Sequence, residues 1–228
     1  MKTLSEINKN LELFSSKYKI DVSNVSQGSE SWFKIKLGVL SASNANKIVA
    51  KKDSETRLTY MSELIAQVCT GESEEINSKY LEWGKNNEAG ARSTYEFYSG
   101  LTIEQLPFVF KDDSFRDGCS PDGIIVNNKK GVEIKCPYNA SNYIKFLCED
   151  KIKTEYQWQV QFSMRSLDCE SYDFCQYHPN MKRKPIKILT VEKDEKMQAT
   201  LNDSVHQFIF DMDKMLEKTG IKFGEQWK

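Results

Sequence analysis

The segment at residues 118–137 constrains the fold of this chain more than any other part of the sequence. It reads Gly-Cys-Ser-Pro-Asp-Gly-Ile-Ile-Val-Asn-Asn-Lys-Lys-Gly-Val-Glu-Ile-Lys-Cys-Pro. A β-branched run at residues 124–126 and a strand-like segment at residues 132–136 flank an Asn-Asn-Lys-Lys-Gly sequence whose Asn and Gly residues tolerate positive φ. The pattern predicts a β-hairpin that follows directly on a Ser-Pro-Asp-Gly turn.

This hairpin would bring three chemically useful side chains together. Asp122 lies in the turn, and Glu133 and Lys135 point the same way because side chains alternate faces along a strand. Two carboxylates and the main-chain carbonyl of Ile134 are oxygen ligands of the kind that Mg²⁺ takes. An ion held there could activate water and offset charge on a phosphate. Lys135 could orient that water, help deprotonate it or stabilise the pentacovalent phosphorane, and the sequence does not decide between these roles.

Each of these residues also has an ordinary structural explanation. Pro-Asp-Gly is a common turn sequence, and a Glu-x-Lys pair on a strand often forms a solvated face. The spacing of all three residues, together with apolar neighbours that would face a core, favours a metal-dependent site.

Length and composition set broader limits. We expect the 228 residues to form one domain, residues 1–228. The 32 basic and 33 acidic residues nearly cancel, so a polyanion could bind only if the charges are segregated onto different faces. Residues 1–20 do not resemble a signal peptide, and no apolar run is long enough to span a bilayer, which predicts a cytoplasmic protein without a membrane partner. Six reduced cysteines without a C-x-x-C pair and only two histidines argue against a zinc site.

The hydrophobic periodicity predicts an α/β protein in which helices flank a central mixed β-sheet on both faces. The predicted helices cover residues 4–18, 44–50, 58–70, 75–98, 141–148, 154–167 and 194–218. The predicted extended segments cover residues 103–111, 115–126, 132–136, 172–177 and 186–191. Ser41 or Ser43 would cap the second helix, and the fourth would break near Gly84.

Motifs across nearly the whole chain resemble those of one nuclease family. In order, they are Trp32 with Lys36-Leu37-Gly38, Ser41-Ala42-Ser43, Trp83-Gly84-Lys85 with Glu88, Cys119-Ser120-Pro121-Asp122-Gly123, Glu133-Ile134-Lys135-Cys136-Pro137, Gln159-Val160-Gln161 with Ser163-Met164, and Phe223-Gly224-Glu225-Gln226-Trp227. The chain is identified by them as a member of the lambda-exonuclease-like viral recombinase family within the PD-(D/E)xK nuclease superfamily. The resemblance implies a restriction-endonuclease-like core.

The resemblance also implies an activity and an assembly. Members are Mg²⁺-dependent 5′→3′ exonucleases on double-stranded DNA ends, for which Mn²⁺ would substitute, and they release 5′-mononucleotides and leave 3′ overhangs. They form ring-shaped homotrimers around DNA, which implies processive digestion, and work with a single-strand annealing protein. A phage or prophage product in the cytoplasm of a bacterial host would follow. The cysteine spacing does not fit the four-cysteine iron–sulfur cluster that some nucleases of the superfamily carry.

Four positions match the catalytic motifs of this family. Asp122, Glu133 and the upstream helical carboxylate Glu88 would be metal ligands, together with the Ile134 carbonyl, and Lys135 would be the catalytic lysine. Without the resemblance, Glu88 would be read as a solvent-facing glutamate on a helix.

Further positions match the way in which the family holds a DNA end. Ser43, Ser120 and Gln159 match a pocket for the terminal 5′-phosphate, and Lys36 replaces the usual arginine of that pocket. Lysine keeps the charge but lacks the rigid fork that binds phosphate bidentately, so selection for a 5′-phosphate is expected to be weaker. Leu81 matches an apolar wedge that separates the strands, although a core leucine is an equally good explanation.

Two other functions are compatible with these features. An endonuclease of the same superfamily would cut at a particular sequence or junction, and a DNA-end-binding module would have lost its catalytic site. The filled acidic and lysine positions argue against the second.

Overall fold

The computed structural model describes residues 1–23, 25–73 and 78–228. Its helices are α1 (Leu4–Tyr18), α2 (Glu30–Ile35), α3 (Ala45–Ile48), α4 (Glu55–Thr70), α5 (Lys79–Ser99), α6 (Ala140–Glu149), α7 (Thr154–Leu167) and α8 (Glu195–Thr219). Its strands are β1 (Leu40–Ser41), β2 (Val109–Phe110), β3 (Asp117–Cys119), β4 (Gly123–Ile125), β5 (Lys130–Lys135), β6 (Ser171–Tyr177) and β7 (Ile186–Glu192). Over the described ranges, no helix is both long enough and apolar enough to cross a membrane.

The strands form two mixed sheets. In the first, of order β1-β3-β2, β3 runs parallel to β1 and antiparallel to β2. In the second, of order β4-β5-β6-β7, the central pair β5 and β6 is parallel and both outer pairs are antiparallel. The predicted fold class, mixed sheet flanked by helices, is confirmed, and its strands are divided between two sheets.

Two hydrophobic clusters form the core, and the smaller one holds β5. The larger cluster joins α1, α4, α7 and α8 to the first sheet, with Phe14 in ring contact with Phe110, Phe115 and Trp227. The smaller cluster packs Val132 and Ile134 of β5 against Ala91 and Tyr95 of α5. Because Val132 and Ile134 face α5, the alternating residues of β5 face the opposite side.

The best-predicted helices carry strong local signals. α1 and α7 begin and end where the sequence predicts. Thr3 and Glu6 form a reciprocal capping box at the start of α1. α4 and α5 end at Gly71 and Gly100, whose positive φ values of 71° and 69° are those of a left-handed C-cap.

Several local predictions are wrong. α5 is continuous through Gly84, because a single glycine weakens a helix without ending it. Neither Ser41 nor Ser43 caps the helix that follows: a 3-10 turn, Ala42–Asn44, precedes α3, and the hydroxyl of Ser41 lies 3.2 Å from that of Ser43. The start of the predicted helix at residues 75–98 lies partly outside the described residues.

The long extended segments predicted at residues 103–111 and 115–126 contain only short strands, because turns interrupt them. The sequence did not predict α2, which Ser29 caps by accepting a hydrogen bond from the Trp32 amide. The cysteines are free thiols, of which Cys119, Cys169 and Cys175 are buried and Cys148 is exposed.

Candidate active site

The two sheets bring the predicted site residues to one region. β1 and β3 are parallel, with Ser41 opposite Gly118, so the segments that follow them leave the sheet at the same edge. These segments carry Ser43 and the stretch from Ser120 to Asp122. The chain then enters the β4–β5 hairpin, whose pairing of Gly123 with Val132 sets Glu133 beside Asp122.

Asp122, Glu133 and Lys135 form a connected cluster. Asp122 Oδ2 accepts a hydrogen bond of 2.6 Å from the main-chain N–H of Ile134. Glu133 Oε1 accepts one of 2.7 Å from Lys135 Nζ. Glu133 is only 3% exposed, so the Glu-x-Lys pair is not a solvated strand face. The prediction that Glu133 and Lys135 point to the same side is confirmed.

The cluster carries more negative than positive charge. Burial, followed by the nearby charge of Glu133, raises the pKa of Asp122 well above its ordinary value. Burial alone would lower the pKa of Lys135, but the charges of Glu133 and Asp122 outweigh it and raise that pKa. When both carboxyl groups are ionised, one ammonium faces two carboxylates, and a bound cation would relieve the remaining repulsion.

The donor set suits a hard divalent cation. Glu133 Oε2 is buried and has no hydrogen-bond partner among the described residues. Burying a carboxylate oxygen without a partner costs free energy, and here that oxygen adjoins a second carboxylate. A bound cation would stabilise both groups. Because the two carboxylates and the Ile134 carbonyl are oxygen donors, Mg²⁺ or Mn²⁺ fits better than a thiolate- or imidazole-seeking metal.

Among the described hydrogen bonds, Glu88 makes none to this cluster, although its charge helps to raise the pKa of Asp122. The carboxylate of Glu88 pairs with Arg92 one turn further along α5. Within the described residues, no three His, Cys, Asp or Glu side chains are already grouped as a set of metal ligands. The pairing with Arg92 uses Oε1 of Glu88.

A cavity of about 780 Å³ adjoins the cluster. Four predicted residues line it: Leu81, Glu88, Ile134 and Lys135. The volume lies within the range typical of small-molecule sites. Leu81 is 56% exposed, so the alternative explanation of this residue as a core leucine is wrong.

Trp32 connects two residues of the predicted phosphate pocket. Its indole N–H lies within hydrogen-bond distance of Ser120 Oγ (3.0 Å) and of the Pro107 carbonyl (2.9 Å). Lys36 Nζ lies 3.3 Å from the centroid of the Trp32 ring, a cation–π contact. Burial lowers the pKa of Lys36 to about 7. An anion beside Lys36 would stabilise its charged form.

The other two pocket candidates are placed differently. Ser43 is exposed and its hydroxyl contacts only that of Ser41 among the described hydrogen bonds. The buried Gln159 donates from Nε2 to Glu133 Oε1 at 2.6 Å. Gln159 therefore contacts the carboxylate cluster directly.

Comparison with known proteins identifies the family. Residues 31–170 match the YqaJ-like viral recombinase domain. The chain belongs to this family. Over 79 residues it is 38% identical to the uncharacterized protein ExoD of Escherichia coli K12, an alignment that covers 35% of this chain and 91% of ExoD.

Solved structures agree with this assignment. The alkaline exonuclease LHK-Exo of Laribacter hongkongensis, also solved in complex with dAMP, superposes with a TM-score of 0.77 at 27% identity, over 84% of this chain and 96% of that one. A phage-related exonuclease of Haemophilus somnus has the same fold, with a TM-score of 0.69 at 14% identity, over 79% of this chain and 96% of its own. This viral recombinase domain therefore has a PD-(D/E)xK-type fold and a nuclease role.

Several residues around the site of this viral recombinase domain have no role that the sequence predicts. Trp32 precedes Lys36 by four positions, a spacing that brings side chains together on a helix and could have indicated their contact. Lys135 Nζ lies 5.2 Å from the centroid of the Tyr156 ring. Gln176 lines the cavity and its amide oxygen has no hydrogen-bond partner in the described structure. No sequence pattern indicates that Tyr156 and Gln176 lie near Lys135, because these residues are far from it in the chain.

Proposed function

We propose that this protein is a divalent-metal-dependent exonuclease that degrades one strand of duplex DNA from its 5′ end. It would release 5′-mononucleotides and leave a 3′ single-stranded overhang, with residues 1–228 acting as one exonuclease domain. The observation that carries the proposal is the cluster of Asp122, Glu133 and Lys135 beside a cavity, with one Glu133 oxygen that has no partner in the described part of the chain. The relationship to a structure that contains dAMP, a deoxynucleoside monophosphate, supports the proposed product.

Asp122 and Glu133 would hold the metal, together with the main-chain carbonyl of Ile134 and the carboxylate of Glu88. Mg²⁺ is the proposed ion and Mn²⁺ the proposed substitute. When bound, such an ion activates water and offsets charge on the phosphate.

Lys135 would act directly on the scissile phosphodiester. Its ion pair with Glu133 holds the ammonium at the cavity wall, where its N–H groups can donate to a phosphoryl oxygen. In the proposed reaction, a water oxygen bonds to phosphorus and the bond to the O3′ atom of the terminal nucleotide breaks. The departing O3′ gains a proton, and the shortened strand keeps a new 5′-phosphate.

That new phosphate gives the end-binding residues a role in every cycle. Lys36, Ser43 and Ser120 would bind it, with Trp32 fixing both Lys36 and Ser120. Gln159 would orient the Glu133 carboxylate through the hydrogen bond that it donates to Oε1. The exposed Leu81 would keep the two strands apart at the mouth of the cavity.

The resemblance to the family supports a proposal about the larger assembly. We propose a homotrimeric ring around DNA, a processive mode of digestion and a single-strand annealing protein as partner, in a phage- or prophage-derived system in the bacterial cytoplasm. Light scattering at micromolar protein concentration tests the ring, since a monomeric mass would contradict it.

A comparison of DNA topologies tests the activity. Linear and covalently closed circular duplexes are incubated with the protein and Mg²⁺, with and without EDTA, and the linear substrate is labelled at either the 5′ or the 3′ end. We expect digestion of linear DNA alone, early release of the 5′ label as mononucleotide, and no reaction in EDTA. Cutting of the circle would indicate an endonuclease, and end binding without hydrolysis would indicate a non-catalytic module.

A further inference from the structure

Two exposed tyrosine rings line the cavity that contains Lys135, and the ring of Trp83 packs against one of them. Tyr80 and Tyr138 line the cavity and are 56% and 43% exposed. Their ring centroids lie 5.4 Å apart at an angle of 86°, and the centroid of Trp83 lies 5.5 Å from that of Tyr138. We name Tyr80, Trp83 and Tyr138 the aromatic wall.

Positive charge surrounds this wall. Lys79 Nζ lies 5.3 Å from the centroid of Tyr80 and 5.4 Å from that of Tyr138. Five lysines line the cavity against two glutamates, Glu88 and Glu149: Lys85, Lys135, Lys145, Lys151 and Lys153. A basic groove with exposed aromatic rings is the combination that binds single-stranded nucleic acid, since the cations follow the backbone and the rings stack on bases.

The position of the wall indicates which part of a DNA substrate would reach it. Tyr80 immediately precedes Leu81 on α5, and both side chains line the cavity together with Lys135. A strand separated at Leu81 and held at Lys135 would therefore pass the aromatic wall with its bases unpaired.

We propose that the aromatic wall is a stacking subsite for the bases of unpaired DNA at the end of the duplex. Resting on the proposed nuclease function, the inference adds a base-binding element to a site otherwise built for phosphates. Stacking is tolerant of sequence because every base has a π-face, so the subsite would bind any base without selecting a sequence.

The test compares DNA with and without bases. In an Asp122→Asn background, which leaves DNA intact, binding is measured by fluorescence anisotropy on a 5′-phosphorylated duplex whose end carries either four unpaired nucleotides or four abasic ones. We expect the base-containing end to bind about tenfold more tightly, in line with the contribution of stacking on an aromatic ring. Equal affinity for the two ends would overturn the proposal.

Substitutions in the aromatic wall test whether its rings cause the preference for bases. Tyr80→Ala and Tyr138→Ala should each reduce the preference for bases, and Tyr80→Phe and Tyr138→Phe should keep it, because phenylalanine retains the ring. Phe97→Ala is the matched control, since Phe97 is an 83% exposed aromatic residue on α5 that does not line the cavity. A preference that persists in both alanine variants, or that disappears in the Phe97 variant, would contradict the assignment.

The inference and the proposed function fail in different ways. Hydrolysis of linear DNA by the wild-type protein, with no preference for bases, would overturn only the stacking subsite. A preference for bases without hydrolysis would leave the subsite standing and remove the exonuclease proposal.

Discussion

Gln159 donates a hydrogen bond of 2.6 Å from its Nε2 to Oε1 of Glu133, and both side chains are buried. The same Glu133 oxygen accepts a second hydrogen bond from Lys135 Nζ. Gln159 therefore fixes the orientation of a carboxylate that has one oxygen left without a partner among the described residues. This contact favours a role for Gln159 in positioning Glu133.

Replacing Gln159 with leucine tests that role. The substitution removes a hydrogen bond to a charged group, which contributes about 1.5–3 kcal/mol, and keeps a side chain of similar size. We expect kcat to fall about tenfold or more on 5′-phosphorylated and 5′-hydroxyl ends alike. Gln157→Leu, on the same helix and away from Glu133, is the control. A loss of activity confined to phosphorylated ends would instead assign Gln159 to the phosphate pocket.

Asp122→Asn separates catalysis from folding. Asparagine can still accept the hydrogen bond from the Ile134 amide, and it removes one of two repelling carboxylates. We expect nuclease activity to fall on the order of 10³-fold or more, as when a preorganised electrostatic group is lost. The urea midpoint without metal should be unchanged or higher. Normal digestion by this variant would remove Asp122 from the site, and a large drop in the midpoint would indicate a structural role.

The parts of the site that the sequence predicts are those encoded locally. Asp122, Glu133 and Lys135 lie within fourteen residues of one another in the chain, and turn chemistry and strand alternation place them together. Contacts such as that between Gln159 and Glu133 join a helix to a strand, so they depend on packing that no local pattern records. Only the resemblance to the family indicates that a residue such as Gln159 contributes to the site.

The wrong predictions have a common cause in competition between local preferences. Serine at residues 41 and 43 favours helix caps, but here the Ser41 hydroxyl is engaged by Asn44 and lies near Ser43, and a 3-10 turn intervenes. Gly84 lowers helix propensity at one position of α5, while the capping of this helix by Ser78 and its packing through Ala91 and Tyr95 sustain it.

The half-buried Lys36 should make stability depend on pH. Its pKa falls from an ordinary value of 10.5 to about 7 on folding because burial disfavours the charge. The cost is therefore fully present below pH 7 and disappears as pH rises towards 10.5. Lys36→Met should be more stable than the wild type at pH 6, by a margin that shrinks at pH 8 and vanishes near pH 10.5. Urea unfolding without DNA at each pH measures this margin.

The exposed Lys34, in the last turn of the helix that ends just before Lys36, provides the control for this experiment. Lys34→Met should change stability little at any pH. A margin for Lys36→Met that does not vary with pH would mean that lost charge is not its source.

The C-terminal segment of the chain holds the region around Lys36. Trp227 donates from its indole N–H to the Lys34 carbonyl at 2.8 Å, and Gln226 donates to the Leu37 carbonyl at 3.0 Å. Trp227→Phe keeps an aromatic ring but loses the first of these bonds, which should cost about 1 kcal/mol of stability. We also expect KM for 5′-phosphorylated ends to rise several-fold with kcat preserved. An equal change on hydroxyl ends would rule out a specific effect on Lys36, and Glu225→Ala is the exposed control.

Leu81→Ala should impair strand separation without affecting the fold. Leu81 is 56% exposed, so its truncation is expected to change stability by less than about 0.5 kcal/mol, as at most surface sites. As an apolar wedge, it would contribute most where paired bases must be pulled apart. We expect the variant to digest blunt duplex ends several-fold more slowly than the wild type, and to match it on ends whose terminal nucleotides are already unpaired. If both substrates slow equally, Leu81 contacts DNA in another way, and if neither slows, it has no part in strand separation.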